Sequence, residues 1–329
     1  MSINNEYFTP GEVWHDTDGK PIQAHGGGIL YDNGVYYWYG ENKGAENAKN
    51  QSGLLERVDV IGISCYSSED LLNWKNEGVV LPSVKDDPEH DLHTSGVVER
   101  PKVLFNEKTG KYVMWMHIDS YNYKTAKAGV AVSDSPIGPF RYLGSIKPND
   151  ADSRDMTLFR DDDGRAWLIH SSEDNSTIHI AELTEDYLSV TGSFVRAFIG
   201  RWREAPCVFK HNGLYYCITS GCTGWTPNGA EYAVAESVTG PWDVMGNPCI
   251  GSNAKRTFNG QGTFVLPVEG YPEAFIFMAD RWIKDNLRDS RYIWLPIEID
   301  NGRLTIDWVD SWDLSYFDMD KALYKGDGK

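Results

Sequence analysis

Residues 30–39, Leu-Tyr-Asp-Asn-Gly-Val-Tyr-Tyr-Trp-Tyr, contain two short runs of β-forming residues on either side of Asn33-Gly34. An Asn-Gly pair supplies the positive φ angles that a two-residue hairpin turn requires. The flanking aromatic and β-branched residues favour extended strands. This stretch therefore predicts a β-hairpin.

The hairpin pattern returns four more times along the chain. The further copies lie at residues 103–115, 157–169, 207–216 and 263–278, and polar turns that end a second strand pair lie at 67–71, 133–136, 183–186 and 236–241. Five units of four strands, at a period of about 55 residues, are typical of a propeller, because one blade cannot bury both of its faces alone. The predicted fold is all-β, a five-bladed β-propeller with four antiparallel strands per blade.

No linker rich in Pro, Gly or Ser and no low-complexity tract interrupts the repeats. The sequence therefore predicts a single domain over residues 1–329, with a core from about residue 10 to 320 and no appended carbohydrate-binding module. Frayed ends are expected at residues 4–6 and 325–329. A last strand near residues 304–308 is expected to close the ring beside the N-terminal segment.

The chain has 329 residues, of which 31 are basic and 48 acidic, so its formal charge is −17. Such a surface repels polyanions, which argues against a nucleic-acid partner. No apolar run approaches the roughly 20 residues of a membrane helix, and the first thirty residues lack a signal-peptide pattern. We expect a cytoplasmic protein with no membrane partner, or a secreted or periplasmic one if a leader has been removed. The oligomeric state stays open.

Several sequence features bear on metals and cofactors. The five cysteines, at positions 65, 207, 217, 222 and 249, form no Cys-x-x-Cys pair, which favours buried thiols over disulfides or a zinc site. Residues 161–164 (DDDG) lack the alternating ligands of a calcium loop and fall where the other units have a hairpin turn. His90 and His93 have the spacing of a helical metal pair but lie in a polar insertion with no third ligand. The sequence predicts no cofactor and no metal.

One polar residue stands just before the apolar run that opens each unit. These head residues are His25, Glu99, Asp155, Glu204 and Gln261, at spacings of 74, 56, 49 and 57 residues. Because the first strand of each blade lines the channel of a propeller, the head residues are expected to converge on one polar pocket. Crowded carboxylates raise at least one pKa towards the working pH, as a general acid requires. The alternative is a set of structural salt bridges, since arginines adjoin three of the acids: Arg100, Arg154 and Arg203.

Seven short strings occur in order between about residues 12 and 313. They are 24–28 (AHGGG), 37–41 (YWYGE), 99–102 (ERPK), 153–156 (SRDM), 203–206 (REAP), 223–228 (TGWTPN) and 280–282 (DRW). Together they resemble glycoside hydrolase family 43 and are most similar to its exo-β-1,3-galactanase branch. The resemblance implies a five-bladed β-propeller, which agrees with the repeat count, and inverting hydrolysis. It also implies that Glu204 is the general acid that protonates the departing glycosidic oxygen, and that Asp155 orients and tunes that acid.

The general base departs from the common pattern of the family, which has an aspartate where this chain has His25. The galactanase branch shares this departure, and the resemblance implies that Gln261 handles the attacking water. An amide oxygen is a very weak base, so Gln261 can hold water but can abstract a proton only through an unusual tautomer or a relay. Glu99 is the alternative base, although its counterpart in the branch looks like a sugar ligand. Inversion places the acid and the water-handling group about 6.5–9.5 Å apart.

Sugar rings stack their apolar C–H faces on aromatic side chains and present hydroxyls to carboxylates and amides. Trp225 lies in a loop of Gly, Thr and Pro, which favours it as the stacking residue. Packing between blades is the alternative for any aromatic residue here, and Arg281 is a candidate anchor for a pocket carboxylate. The further substrate-binding candidates are Glu99, Glu41, Tyr123, Asn175 and Thr223.

These features predict an inverting, exo-acting glycoside hydrolase that releases galactose from β-1,3-galactan, with a neutral oligo- or polysaccharide as its partner. Three other activities of the family, α-L-arabinofuranosidase, β-xylosidase and β-galactofuranosidase, share the general acid and are the nearest alternatives. A glycan-binding propeller that has lost catalysis is an alternative of a different class, because the first-blade aspartate is missing.

Overall fold

Four-stranded antiparallel sheets are the building unit of the molecule, and five of them are arranged as the blades of a ring. The computed structural model describes residues 3–49 and 55–318, so that residues 1–2, 50–54 and 319–329, including the predicted frayed end at 325–329, lie outside the described part. The innermost strand of each blade contacts the innermost strands of both neighbouring blades. The prediction of a five-bladed propeller with four antiparallel strands per blade is confirmed.

In each blade the strands follow one another in sequence order, from the innermost strand at the axis of the ring to the outermost strand at the periphery. Blade 1 contains β1 (His25–Asp32), β2 (Val35–Glu41), β5 (Gly62–Ser68) and β6 (Lys75–Pro82), with a small ribbon of β3 (Asn47–Lys49) and β4 (Leu55–Val58) inserted before β5. Blade 2 contains β7 (Val97–Asn106), β8 (Lys111–Asp119), β9 (Lys127–Ser133) and β10 (Arg141–Ile146). Blade 3 contains β11 (Met156–Arg160), β12 (Ala166–Ser172), β13 (Thr177–Leu183) and β14 (Val190–Ala197). Blade 4 contains β15 (Arg203–His211), β16 (Leu214–Gly221), β17 (Glu231–Ala235) and β18 (Asp243–Gly246), and blade 5 contains β19 (Gln261–Pro267), β20 (Phe275–Arg281), β21 (Arg291–Asp300) and β22 (Arg303–Ile306).

Helical structure in the described part is restricted to short 3₁₀ turns in the connections. They are Pro148–Asp150, Ala254–Asn259, Leu287–Asp289 and Leu314–Phe317. Among the described residues, no helix has the length and apolar character needed to cross a membrane.

The predicted hairpin at residues 30–39 joins β1 to β2. Its two turn residues, Asn33 and Gly34, have φ angles of 50° and 89°, as the tight turn requires. Asn212 and Gly213 repeat this conformation between β15 and β16, with φ angles of 48° and 80°. The hairpin end of each blade is therefore set by local sequence, and it lies opposite the end at which the head residues stand.

The hydrophobic core is divided into five clusters, and each one lies between two neighbouring blades. The cluster between blades 1 and 5 is rich in tryptophan, and the ring centroids of Trp38 and Trp294 lie 4.9 Å apart. Fully burying a large apolar side chain contributes roughly 1.5–3 kcal/mol. Packing between the blades therefore holds the ring together and leaves the axis free for polar side chains.

The N-terminal segment closes the ring. Phe8 forms an antiparallel bridge with Trp312, with N···O distances of 2.7 and 3.1 Å, and the two rings stack with centroids 4.3 Å apart. The expectation that residues 304–308 make this closure is wrong, because β22 is the outermost strand of blade 5 and its Ile306 bridges to Cys249 beyond blade 4. Closure takes place a few residues later, where the chain returns to the tryptophan cluster.

Replacing Trp312 by Ala is expected to lower the free energy of unfolding by about 3–5 kcal/mol, because its side chain is only 1% exposed and packs on Phe8. Urea unfolding followed by tryptophan fluorescence measures this change. Tyr7→Ala is the matched control, since Tyr7 adjoins Phe8 but is 51% exposed. Equal losses in the two variants would contradict the role of Trp312 in closing the ring.

Candidate active site

A polar cavity of about 400 Å³ opens on the axis, at the end of the propeller where the innermost strands begin. Four of the five head residues face it, namely Glu99, Asp155, Glu204 and Gln261. The predicted convergence therefore holds for blades 2 to 5. The complete lining is Glu41, Glu99, Arg100, Tyr123, Arg154, Asp155, Asn175, Glu204, Cys222, Gly224, Trp225, Gln261 and Trp282.

Irregular backbone at the start of the innermost strands aims these side chains inwards. The ladder register shifts directly after Glu99 in β7 and directly after Glu204 in β15. The residues that follow, Arg100 and Ala205, have φ angles of 56° and 52°, in the left-handed region that side chains rarely adopt. Bulges of this kind re-aim a side chain and end regular pairing, and they are common beside active sites.

Blade 1 departs from the predicted pattern, because His25 does not reach the cavity. Its side chain is fully buried, and its Nδ1 lies 2.9 Å from Asp280 Oδ1. Glu41, which is paired with His25 in the β1–β2 ladder, faces the cavity instead. Gly26 allows this approach, because it has a φ of 60° and an added Cβ would lie 2.1 Å from Glu41 Oε1.

The predicted general acid, Glu204, is held by two amide side chains. Asn175 Nδ2 donates to its Oε2 over 3.3 Å, and Gln261 Nε2 donates to its Oε1 over 3.0 Å. Burial, followed by the negative charge of Asp155, raises the pKa of Glu204 to about 8. The carboxyl group is thus protonated at neutral pH, which is the state in which it can donate a proton to a leaving oxygen.

Four hydrogen bonds fix the amide of Gln261. Its oxygen accepts from Arg100 Nη2 (2.7 Å) and Trp282 Nε1 (3.0 Å), and its nitrogen donates to Glu204 and to Ser220 Oγ (3.0 Å). The separation of about 6.5–9.5 Å expected between the acid and the water-handling group is therefore not found in this structure, because the two side chains bond directly. A sugar and a water fit between them only after this contact opens.

Arg100 joins the residues at the centre of the site, although its place in the sequence indicated no role in catalysis. Its side chain is almost fully buried, and its Nη2 lies 3.0 Å from Asp155 Oδ2 and 2.7 Å from Gln261 Oε1. Its Nη1 donates to the carbonyl of Gly262 over 3.0 Å. The only sequence signal for this residue was a basic side chain next to a head acid, a signal that Arg154 and Arg203 share.

The other candidate arginines have different partners. Arg154 pairs with Asp152 and Asp174 rather than with Asp155. Arg203 turns into blade 4, where it donates to Thr219 Oγ1 and the Thr219 carbonyl. The prediction that Arg281 anchors a pocket carboxylate is wrong, because its Nη2 donates to the carbonyl of Phe258. Of the three arginines beside head acids, therefore, Arg100 is the one seen to form a salt bridge with a head acid, namely Asp155.

A second cluster lines the opposite wall of the cavity. Glu99 Oε1 accepts from the Tyr123 hydroxyl (2.9 Å) and lies 3.5 Å from Lys43 Nζ, which is also 2.7 Å from Glu41 Oε2. Although burial acts in the other direction, Lys43 and then His117 lower the pKa of Glu99 to about 2. Glu99 is therefore ionised and is a good acceptor of hydrogen bonds from hydroxyl groups. Its low pKa makes it a weak general base.

The loop after β16 contributes Trp225 and Cys222 to the cavity. Trp225 contacts Trp282 edge to face, with ring centroids 5.3 Å apart, so one of its faces is available to a sugar. Thr223 does not line the cavity, because its hydroxyl donates to the Thr226 carbonyl and accepts from Asn228, which braces the loop. The expectation of five buried thiols holds for the other four cysteines, whereas Cys222 is partly exposed beside Glu204.

One group of described residues has the geometry to approach a single metal ion. Ligand atoms of Glu99, His117 and Asp155 lie within 4.8 Å of one another. Lys43 and Arg100 already neutralise the two carboxylates, and His117 Nε2 lies 3.0 Å from Asp119 Oδ2. A metal ion would have to displace these protein cations, so the donor set does not favour one.

Comparison with known proteins identifies what this arrangement is similar to. Residues 23–287 match the model of the glycosyl hydrolases family 43. A solved family 43 β-1,3-galactosidase with galactodeoxynojirimycin is 44% identical, with a TM-score of 0.85, and the match covers 93% of this chain and 100% of that one. Another family 43 β-1,3-galactosidase is 37% identical, with a TM-score of 0.89 over 96% of this chain, which spans only 65% of that protein.

The third similar structure is an exo-β-1,3-galactanase from Phanerochaete chrysosporium, solved with β-1,3-galactotriose. It is 38% identical, with a TM-score of 0.85, and the match covers 94% of this chain and 68% of that one. All three structures share the propeller, and their names place them among enzymes that act on β-1,3-linked galactose.

The pKa of Glu204 predicts the alkaline limb of the pH profile. Because the acid must carry its proton in order to donate it, kcat/KM is expected to fall as the pH rises through about 8. Asp155→Asn removes the largest neighbouring charge that raises this pKa, so the limb should move to lower pH. Initial rates measured across the pH range test both statements.

The matched control is Asp134→Asn, which changes an exposed aspartate paired with Lys111 far from the cavity and should leave the limb in place. An alkaline limb that Asp155→Asn does not move would show that another group controls it.

Proposed function

The chain belongs to glycoside hydrolase family 43, and from this premise we propose that it is an exo-β-1,3-galactanase, an inverting hydrolase that releases terminal galactose from β-1,3-galactan. The observation that carries the proposal is the position of Glu204, whose pKa burial and Asp155 raise, at a cavity whose other walls offer Glu41, Glu99 and Trp225. These are the groups that a pyranose needs, an acid at the bond to be cut, acceptors for hydroxyls and an aromatic face.

The shape of the site supports exo action. Below the cavity, Lys102 is 1% exposed and its Nζ donates to the carbonyl oxygens of Gly26 (2.9 Å) and Arg100 (3.4 Å), between the neighbouring innermost strands β7 and β1. This buried side chain fills space between the innermost strands, where its Cδ would lie 2.6 Å from a Cβ added at Gly28. A cavity that ends on the axis accepts the end of a saccharide chain, and a chain interior would have no exit.

In the proposed reaction, an acid and a water act on opposite faces of the sugar. Glu204 gives its proton to the glycosidic oxygen as the bond from that oxygen to the anomeric carbon breaks. A water on the opposite face forms the new bond to that carbon, and its proton passes to an acceptor. Asp155 raises the pKa of the acid, and Arg100 fixes the position of Asp155.

Gln261 changes partners when substrate enters. Its oxygen remains bound to Arg100 and Trp282, whereas its nitrogen is released from Glu204 and can donate to the incoming water. An amide nitrogen positions water but takes no proton. The proton acceptor is then the amide in its unusual tautomer or a carboxylate such as Glu99, whose low pKa makes it a weak base.

The first test is hydrolysis of β-1,3-galactan by the wild-type protein and by Glu204→Gln. We expect release of galactose by the wild type and a loss of about 10²–10⁴-fold in kcat for the variant, which keeps the shape of the acid but cannot donate its proton. Chromatography of the products measures turnover. Proton NMR at early times should show the α anomer first, because inversion of a β linkage produces α-galactose.

Binding of galactan without turnover by the wild type would favour the glycan-binding alternative. Faster hydrolysis of aryl α-L-arabinofuranoside, β-xyloside or β-galactofuranoside than of β-1,3-galactobiose would favour another activity of the family. A β anomer as the first product would contradict inversion.

The second test concerns the water. Gln261→Ala is expected to lower kcat by roughly 10²–10⁴-fold if the amide positions the nucleophile. Ser220→Ala is the matched control, since it removes only the second acceptor of the Gln261 nitrogen and should cost far less. Near-normal rates in Gln261→Ala would transfer the role to Glu99 or to another group.

A further inference from the structure

Two large apolar side chains lie exposed in the connection that precedes Glu204. Trp202 is 56% exposed and Ile199 is 61% exposed, and both belong to the connection that leads from β14 to β15. None of the other tryptophans is among the exposed large hydrophobic residues of the described part. An aromatic ring left in water beside a carbohydrate site is a candidate platform for a sugar face.

The connection is fixed to the rim of the catalytic site. The backbone N–H of Trp202 donates to the Ser176 carbonyl over 3.4 Å, and the neighbouring Asn175 bonds Glu204. Arg201 forms two hydrogen bonds with the Glu231 carboxylate, at 3.2 and 2.6 Å. Trp202 is therefore held at the boundary of blades 3 and 4, only two residues before the general acid.

The backbone of Trp202 has a φ angle of 55°, which is rare for a bulky residue and carries a cost in free energy. The half-exposed side chain recovers only part of this cost through burial. Strain at an exposed aromatic residue next to an active site points to a role in binding rather than in folding.

The path by which the saccharide chain leaves the cavity determines whether Trp202 can contact it. The terminal sugar occupies the blind cavity, so the remaining saccharide leaves past Glu204. Asn175 and Cys222 line the cavity beside Glu204, so we expect the first leaving-side sugar there. Trp202 does not line the cavity, but its backbone bond to Ser176 holds it next to Asn175, on the Glu204 side of the rim.

We infer that Trp202 is a stacking platform for the second sugar on the leaving side, that is, for the third ring of a β-1,3-linked galactan chain. This inference rests on the proposed function. The platform selects chains of three or more units, and it supplies a contact with polymeric substrate within the propeller itself.

The test compares Trp202→Gly with the wild type on β-1,3-galactobiose and β-1,3-galactotriose. We expect the variant to lose about tenfold more kcat/KM on the trisaccharide than on the disaccharide, the scale of one aromatic contact. Trp202→Phe should recover most of this selectivity. Because glycine accepts a positive φ without strain, the melting temperature of Trp202→Gly should not fall.

The matched control is Tyr31→Ala, which removes a partly exposed aromatic ring from the hairpin end of blade 1 and should leave both rates unchanged. Equal losses on both substrates would overturn the platform in favour of a positioning effect on Glu204. Unchanged kinetics on both substrates would overturn it as well.

A binding experiment tests this inference separately from the proposed function. Calorimetric titration of Glu204→Gln and of the Glu204→Gln, Trp202→Gly double variant with galactotriose requires no turnover. Weaker binding in the double variant supports the platform even if the wild type proves inactive on galactan, a result that would remove only the proposed activity. Equal affinities would remove the platform.

Discussion

The buried guanidinium of Arg100 is the interaction on which the site depends. A charge without partners at this depth would be strongly unfavourable, so the side chain must be surrounded by groups that accept its hydrogen bonds. It finds Asp155 from blade 3 and Gln261 and the Gly262 carbonyl from blade 5. These contacts join three blades at the axis, and they hold the tuning carboxylate and the amide in a fixed relation.

Two carboxylates of the same cavity are driven to opposite protonation states. Glu204 lies in a buried position next to Asp155, and its pKa rises to about 8. Glu99 is equally enclosed, but the Lys43 ammonium and His117 lower its pKa to about 2. This difference in pKa allows Glu204 to donate a proton while Glu99 accepts hydrogen bonds from hydroxyl groups, at a single pH.

The regular strands form the ring, and the irregular backbone at their start positions the side chains of the site. Packing between blades, above all in the tryptophan cluster that Phe8 and Trp312 complete, fixes the ring. Strand pairing then fails at the head of the innermost strands, where bulges and left-handed residues such as Arg100 and Ala205 occur. The left-handed backbone of Trp202 belongs to the same rim. Strained backbone therefore aims the side chains of Glu99 and Glu204 at the cavity, and the surrounding sheets supply the stability that tolerates it.

The sequence by itself determined the five-bladed ring and the identity of four of the residues that line its cavity, because hairpin turns and blade phasing are local properties that repeat at a fixed period. Its resemblance to family 43 singled out Glu204 among them as the candidate general acid. The sequence could not determine the roles of Arg100 and Glu41, the absence of His25 and Thr223 from the cavity, or the direct bond between Gln261 and Glu204. These depend on single-residue shifts of register and on partners from other blades, so that neighbours such as Arg100 and Arg154, or Cys222 and Thr223, look equivalent in sequence. Only the folded ring decides between them, because a bulge turns one side chain to the axis and the next one into a blade.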